Sequence, residues 1–260
     1  MDSVIITAPN LTNWENTLEG YKMSLLNTAA GNTKIMKSQK GTEIRIASLS
    51  LMPDSTICPS STLAQCFKPC LKFAGRGIMS NVAGGRQSKS DYWHNDRAGF
   101  LKQLRQEIRN FIVLCNKQNK QAAFRLNTIS DISWERYGIP QEFPGAIFYD
   151  YTKSASRLHK LPNNYELIFS YSGAPKYQAQ VQRALKTQAP IAVVFRGHVP
   201  AGKYFLGREI VDGDASDLKN LKYRGKIVGL KLKGNNKTQK TKSPFVVEPG
   251  AAQDCIEIAA

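Results

Sequence analysis

The sequence predicts an α/β protein, a (β/α) barrel that is TIM-barrel-like and closed or partly open, with N- and C-terminal extensions. Short apolar runs alternate with helical pieces along most of the chain, a βαβα rhythm that calls for a mainly parallel sheet covered by helices. The length of 260 residues suits one such domain, since single α/β barrels commonly take roughly 250. Hydrophobic residues at 42% and charged residues at 22% lie near the averages of folded globular chains, which excludes a wholly disordered protein. The chain divides into an N-terminal extension (1–35), a barrel domain with a metal-binding cysteine loop (36–234), and a basic linker with a C-terminal tail (235–260).

Residues 1–35 mix short apolar runs with Asn, Thr and Gly without sustained periodicity, so they read as an extension packed on the main body. Segment 43–51 alternates apolar with polar residues and ends at Pro53-Asp54, a strand followed by a turn. Gly75-Arg76-Gly77 and Gly84-Gly85-Arg86 read as a mobile loop over the cysteine segment, since neither follows a strand in the phosphate-loop pattern. From 92 to 117 the apolar positions Trp93, Phe100, Leu104, Ile108, Phe111 and Cys115 recur every three or four residues, which predicts one long amphipathic helix. Further apolar runs at 122–126, 146–149, 165–170, 191–195, 209–211 and 227–232 bring the strand count to seven. Short helices are expected between them at 132–137, 153–161 and 176–187. Beyond Gly234 a polar run rich in Asn, Lys and Thr reads as a flexible linker to short apolar ends at 245–247 and 256–258.

No stretch approaches the roughly 20 consecutive apolar residues of a membrane span, so no membrane partner is expected. Asp2 and Asn10 stand where a secretory signal would carry basic and then apolar residues. Five cysteines, three of them within thirteen residues, suit a ligand cluster in a reducing cytoplasm better than a disulfide framework. The excess of 36 Lys+Arg over 20 Asp+Glu gives a net charge of +16, enough to attract nucleic acid or another polyanion. Nine of the basic residues fall between 218 and 247 with no acidic one among them. A solvated tail and a polyanion contact both fit that run.

Cys58, Cys66 and Cys70 follow the first strand directly, at the end of a parallel sheet where α/β proteins keep their chemistry. Thiolates are soft ligands that select zinc, copper(I) or iron–sulfur clusters. Zinc ribbons use paired Cys-x-x-Cys knuckles, whereas here the gaps are seven and three residues with no second knuckle downstream. Three cysteines in one loop can hold three irons of a 4Fe-4S cube and leave the fourth open or bound by a more distant residue. Cys115 and Cys255 read as packed or idle thiols. His94, beside Asn95 and Asp96, reads as a helix start.

On these residues the chain resembles a family of tailed-phage proteins, in which a Cys-Pro opening, here Cys58-Pro59, precedes two further cysteines and a basic, Trp-containing helix. The likeness continues through Phe124-Arg-Leu-Asn127, Ser130-Asp131, Phe148-Tyr-Asp-Tyr-Thr-Lys153 and Leu161-Pro-Asn-Asn164, and spans about residues 35–234. Part of that wider group is similar to radical S-adenosylmethionine proteins, barrels that carry a 4Fe-4S cluster on three cysteines after the first strand. The resemblance implies such a cluster, a redox role and the cytoplasm of an infected host cell. This sequence departs from the radical pattern in its cysteine spacing, and Arg86 follows Gly84-Gly85 where those proteins place a glutamate for the cofactor amine. The departure counts against S-adenosylmethionine.

Arg125, Asn127 and Asp131 are the expected cofactor contacts, because a barrel turns strand-end groups toward the cysteine loop. An inward arginine in so apolar a strand costs several kcal/mol unless paired. Ser130, Asp150, Lys153, Ser170, Ser172, Arg196 and His198 also follow strands, where helix capping explains such groups equally well. The run from Asp212 to Asp217 reads as a turn and helix cap, for it lacks the calcium-loop pattern. No hydrolase motif is present. The expected function is redox or electron transfer through the cluster with a redox partner, and whether catalysis accompanies it is open. The alternative is a basic nucleic-acid-binding protein with a structural metal centre, and a zinc-stabilised module stands third.

Overall fold

The computed structural model of the chain describes residues 23–28 and 33–254. Most of the expected 1–35 extension, Cys255 and the apolar end at 256–258 lie outside them. In chain order, β1 (Leu26–Thr28) and α1 (Thr33–Gln39) precede β2 (Ile44–Leu49). After the cysteine loop come α2 (Ser80–Asn95), α3 (Arg97–Lys117), β3 (Gln121–Arg125), α4 (Ile139–Glu142), β4 (Ile147–Thr152) and β5 (Tyr165–Ser170). Then follow α5 (Gln178–Leu185), β6 (Ile191–Phe195), β7 (Tyr204–Phe205), β8 (Arg208–Asp212), α6 (Asp217–Asn220), β9 (Ile227–Lys231), α7 (Asn236–Gln239) and β10 (Val246–Val247).

The strands join in the order β1-β2-β3-β4-β5-β6-β9-β8-β7, with β10 also on β6. All ladders from β2 to β8 are parallel, and only the edges β1 and β7 pair antiparallel. The expected mainly parallel α/β sheet is therefore present, with each of the seven expected runs in it. Among the described residues no ladder joins β1 to β7, so the sheet is an open path rather than a ring.

The period of two along each strand sorts its residues between two apolar layers. On one face Phe124, Phe148 and Leu167 pack against Leu104, Ile108 and Phe111 of α3. The same face continues through Phe169, Val193 and Phe195 against Val181 of α5. Their immediate neighbours Ile46, Ala123, Tyr149, Ile168 and Ala192 form a separate cluster with Ile35 of α1 and Leu221. Strands buried on both faces read as continuous apolar runs, which is why they were visible in the sequence.

The helices depart further from expectation. The long helix expected at 92–117 is two, broken at Asp96, whose side chain caps α3 by accepting from Gly99 N at 2.8 Å. A Cβ at Gly99 would collide with that carboxylate. Gly84, Gly85 and Arg86 lie inside α2, and Gly75–Ile78 is a 3-10 turn, so the expected mobile loop is mostly helical. His94 sits in the last turn of α2 and does not start a helix. The expected helices at 132–137 and 153–161 are 3-10 turns, Trp134–Tyr137 and Ala155–Leu158. The polar run after Gly234, read as a flexible linker, holds α7, the apolar end at 245–247 holds β10, and Arg196 donates to the carbonyls of Gln239 and Thr241. No helix of the described residues is long and apolar enough to cross a membrane.

Candidate metal centre

The cysteine loop is a series of tight turns stitched to the ends of the strands. Asp54 starts it by accepting from the backbone of Thr56 (2.7 Å) and Ile57 (2.9 Å), and the Cys58 N–H returns to the Asp54 carbonyl at 2.8 Å. Gln65 takes a left-handed φ of 50°, which turns the chain so that Cys66 N reaches Ser61 O at 3.3 Å. Asp131 N donates to Ile57 O at 2.9 Å, and Ser172 Oγ to Ala64 O at 2.7 Å. The segments after β3 and β5 thus hold the loop in place by its backbone.

This stitching brings Cys58, Cys66 and Cys70 to one cavity of about 170 Å³ at the carboxyl ends of the parallel strands. Arg125, Asn127, Tyr151 and Lys153 line it from the sheet. Cys58 and Cys66 are buried and Cys70 is half-buried, all three as free thiols. Burial pushes Cys58 up to about 12 and raises Cys66 as well, although Lys153 pulls both back. Burial thus favours the neutral thiol at both positions. Burial works against the Lys153 ammonium, but Cys66, Asp131, Cys58 and Cys70 together hold its pKa above the ordinary lysine value. Burial lowers Arg86 of α2, and Cys70 alone of the three thiols favours its charge. Among the described residues no three His, Cys, Asp or Glu side chains converge to hold a single ion.

The other candidate ligands stand apart. Cys115 is buried in the core from the last turns of α3. His94 Nε2 lies 2.7 Å from Asp54 Oδ2 at the start of the loop. Of the three expected cofactor contacts, Arg125 and Asn127 line the cavity and Asp131 lies behind it. Asp131 accepts from Arg157 Nη1 and from Lys153 N, each at 2.8 Å. The Asn127 side chain is used up locally. Its oxygen accepts from Ser130 Oγ (2.8 Å) and Ile132 N (2.9 Å), while its nitrogen donates to Ile132 O (2.9 Å) and Asp150 Oδ2 (3.2 Å).

Arg125 finds its charge partner 92 residues away, in Asp217 at the first turn of α6. Ser216 caps that turn as the sequence suggested, accepting from Lys219 N, but Asp217 neutralises the buried guanidinium and accepts from Tyr151 Oη at 2.9 Å. Arg125 Cζ stands 4.8 Å from the centre of the Tyr151 ring, and among the described residues its Nε has no hydrogen-bond partner. Burial pushes the neighbouring Asp150 up to about 7, against hydrogen bonds from Asn127 N and Tyr165 Oη that lower it.

Lys153 is the central group that sequence reasoning placed at a strand end without singling it out. Its signal is the period of two, since 149, 151 and 153 fall on one face of β4 and its extension. Tyr151, Thr128, Lys231 and Lys233 also line the cavity and carried no separate signal, the two lysines being lost in the basic run. No curated protein and no solved structure matches the chain. A family model does, over residues 23–249, which agrees with the likeness read on Cys58-Pro59 and the strand ends: the chain belongs to the phage-type family described as Gene product 88.

Proposed function

We propose that Cys58, Cys66 and Cys70 hold a 4Fe-4S cluster and that the protein serves redox or electron-transfer chemistry with a partner in the infected host cell. The observation that supports this most is three thiols from one loop facing a single cavity beside the Lys153 ammonium. The donor set fits the group. In a cube each thiolate takes a different iron, so the sulfurs need not meet at one point as they do on zinc. When bound, the cluster supplies one-electron transfer. Lys153 and Arg86 offset the negative charge that the thiolates acquire on losing their protons, and loading releases those protons, so it weakens as pH falls. S-adenosylmethionine stays outside the proposal, because Arg86 lies within α2 and donates to Gly77 O at 3.5 Å. That the sheet curls as a barrel wall is part of the proposal. The clustering of Ile46, Ala123, Tyr149, Ile168 and Ala192 on one face supports it as an interior layer.

Protein purified without oxygen is expected to be brown, with a broad band at ~400 nm and iron by metal analysis. Colourless protein with stoichiometric zinc overturns the assignment. A second reading, nucleic-acid binding, is favoured by a cavity of about 490 Å³ between α1 and α6 lined by Lys37, Lys40, Lys219 and Lys222. A gel shift that weakens steeply with salt supports it, and no shift at low ionic strength removes it.

A further inference from the structure

The thiols occupy only part of their cavity. The remainder is built by the strand ends, and two polar atoms there, Arg125 Nε and Thr128 Oγ1, are buried without a partner among the described residues. Arg125 is only 6% exposed. A guanidinium offers five N–H donors in a planar fork. Asp217 engages Nη1, which balances the charge and leaves Nε–H without an acceptor. Buried donors of this kind are rare in folded proteins unless a ligand or water supplies the acceptor.

The surrounding charge is positive. Lys153, Lys231 and Lys233 line the same cavity, and its one lining carboxylate, Asp214, pairs with Lys233 at 2.9 Å. Among the described residues Lys153 and Lys231 have no salt bridge. Arg125, Thr128, Lys153 and Lys231 present donors from four positions, more than the two oxygens of a carboxylate need. The three terminal oxygens of a phosphoryl group match them. Val194, Leu230, Leu232 and Phe245 complete the lining with apolar surface.

We propose that this cavity binds the phosphate monoester of a small organic molecule, its oxygens taking the Arg125 Nε–H and the Thr128 hydroxyl and its body lying on Val194, Leu230, Leu232 and Phe245. This deepens the reading of the cavity as the functional site, and it rests on that placement and not on the cluster.

Calorimetric titration of the full chain with phenyl phosphate, benzoate and phenol tests it. Phenyl phosphate is expected to saturate with a dissociation constant below ~1 mM, benzoate to bind about tenfold more weakly, and phenol not to bind. Thr128→Val keeps the side-chain shape and Lys231→Gln is on an exposed residue, so both are expected to fold and to weaken binding about three- to tenfold. Arg125→Gln is expected to abolish it. No saturation by phenyl phosphate, benzoate binding as tightly, or undiminished binding by Thr128→Val overturns the proposal. Iron is measured on the same samples. Colourless protein that binds phenyl phosphate removes the cluster alone, and iron-loaded protein that does not bind it removes the phosphate site alone.

Discussion

Arg157 and Arg125 are buried to 7% and 6% residual exposure, yet their surroundings differ in how many donors they satisfy. Arg157 grips Glu135 with Nε and Nη2, both at 2.8 Å, and reaches Asp131 at 2.8 Å and Thr152 Oγ1 at 3.3 Å through Nη1. Its Nη2 also meets Tyr165 Oη at 3.1 Å. Such a fork, used in full, is a brace that ties the 3-10 turns after β3 and β4 to β5. Arg125 meets one carboxylate and keeps a donor over. Burial of an arginine in an apolar strand therefore signals that a partner exists, and the count of satisfied donors separates a brace from a site.

The comparison breaks most visibly at the brace. Arg157→Met leaves Asp131 and Glu135 without their cation, their side chains 3% and 13% exposed. Removing one partner of a buried pair costs about 3–5 kcal/mol. Urea denaturation is expected to register a loss of that size, and a loss under about 1 kcal/mol would show that the network is not a brace.

Asp150 sits between the two arginines and sharpens the contrast by pH. Its carboxyl, pushed up to about 7 from 3.8, binds a proton more tightly in the folded chain than in the unfolded one. Folding stability from this group is fully present below pH 3.8 and is lost as pH rises toward 7, flattening above it. A shift of about three units corresponds to a loss of about 4 kcal/mol at most. Asp150→Asn keeps an acceptor for Asn127 N and is expected to abolish the slope between pH 4 and 7. An unchanged slope in denaturation curves taken across that range would reject the assignment.

Sequence made the framework legible and the pairings illegible for one physical reason. The runs from 122–126 to 227–232 announce themselves because apolar residues must fill both faces of a parallel sheet, and 43–51 by its alternation of apolar with polar residues, both local requirements. β1, β7 and β10 escaped notice, being two or three residues long at edges or beside a strand already paired. Of the expected crossover helices, the one at 176–187 is present as α5, whereas those at 132–137 and 153–161 are single 3-10 turns. Arg125 was suspect on cost alone, but nothing local points to Asp217. The cysteine trio was legible because all its members lie within thirteen residues.

The smallest effect is expected where a pair is exposed. His94 and Asp54 meet at 2.7 Å with side chains 34% and 42% exposed, and surface pairs of this kind contribute about 0.2–1 kcal/mol. Burial works to raise Asp54, but hydrogen bonds from Ile57 N–H, His94 and Thr56 hold it down at about 2. Its contribution is therefore present above pH 3.8 and is lost as pH falls toward 2. His94→Gln retains a donor near Asp54, so the acid limb is expected to move little and stability to change by under about 1 kcal/mol. Iron content measured on the same variant is expected to be unchanged, because His94 faces Asp54 at the entry of the loop. A variant that loses its iron would make His94 the distant fourth ligand, and the exposed pair would then belong with the site.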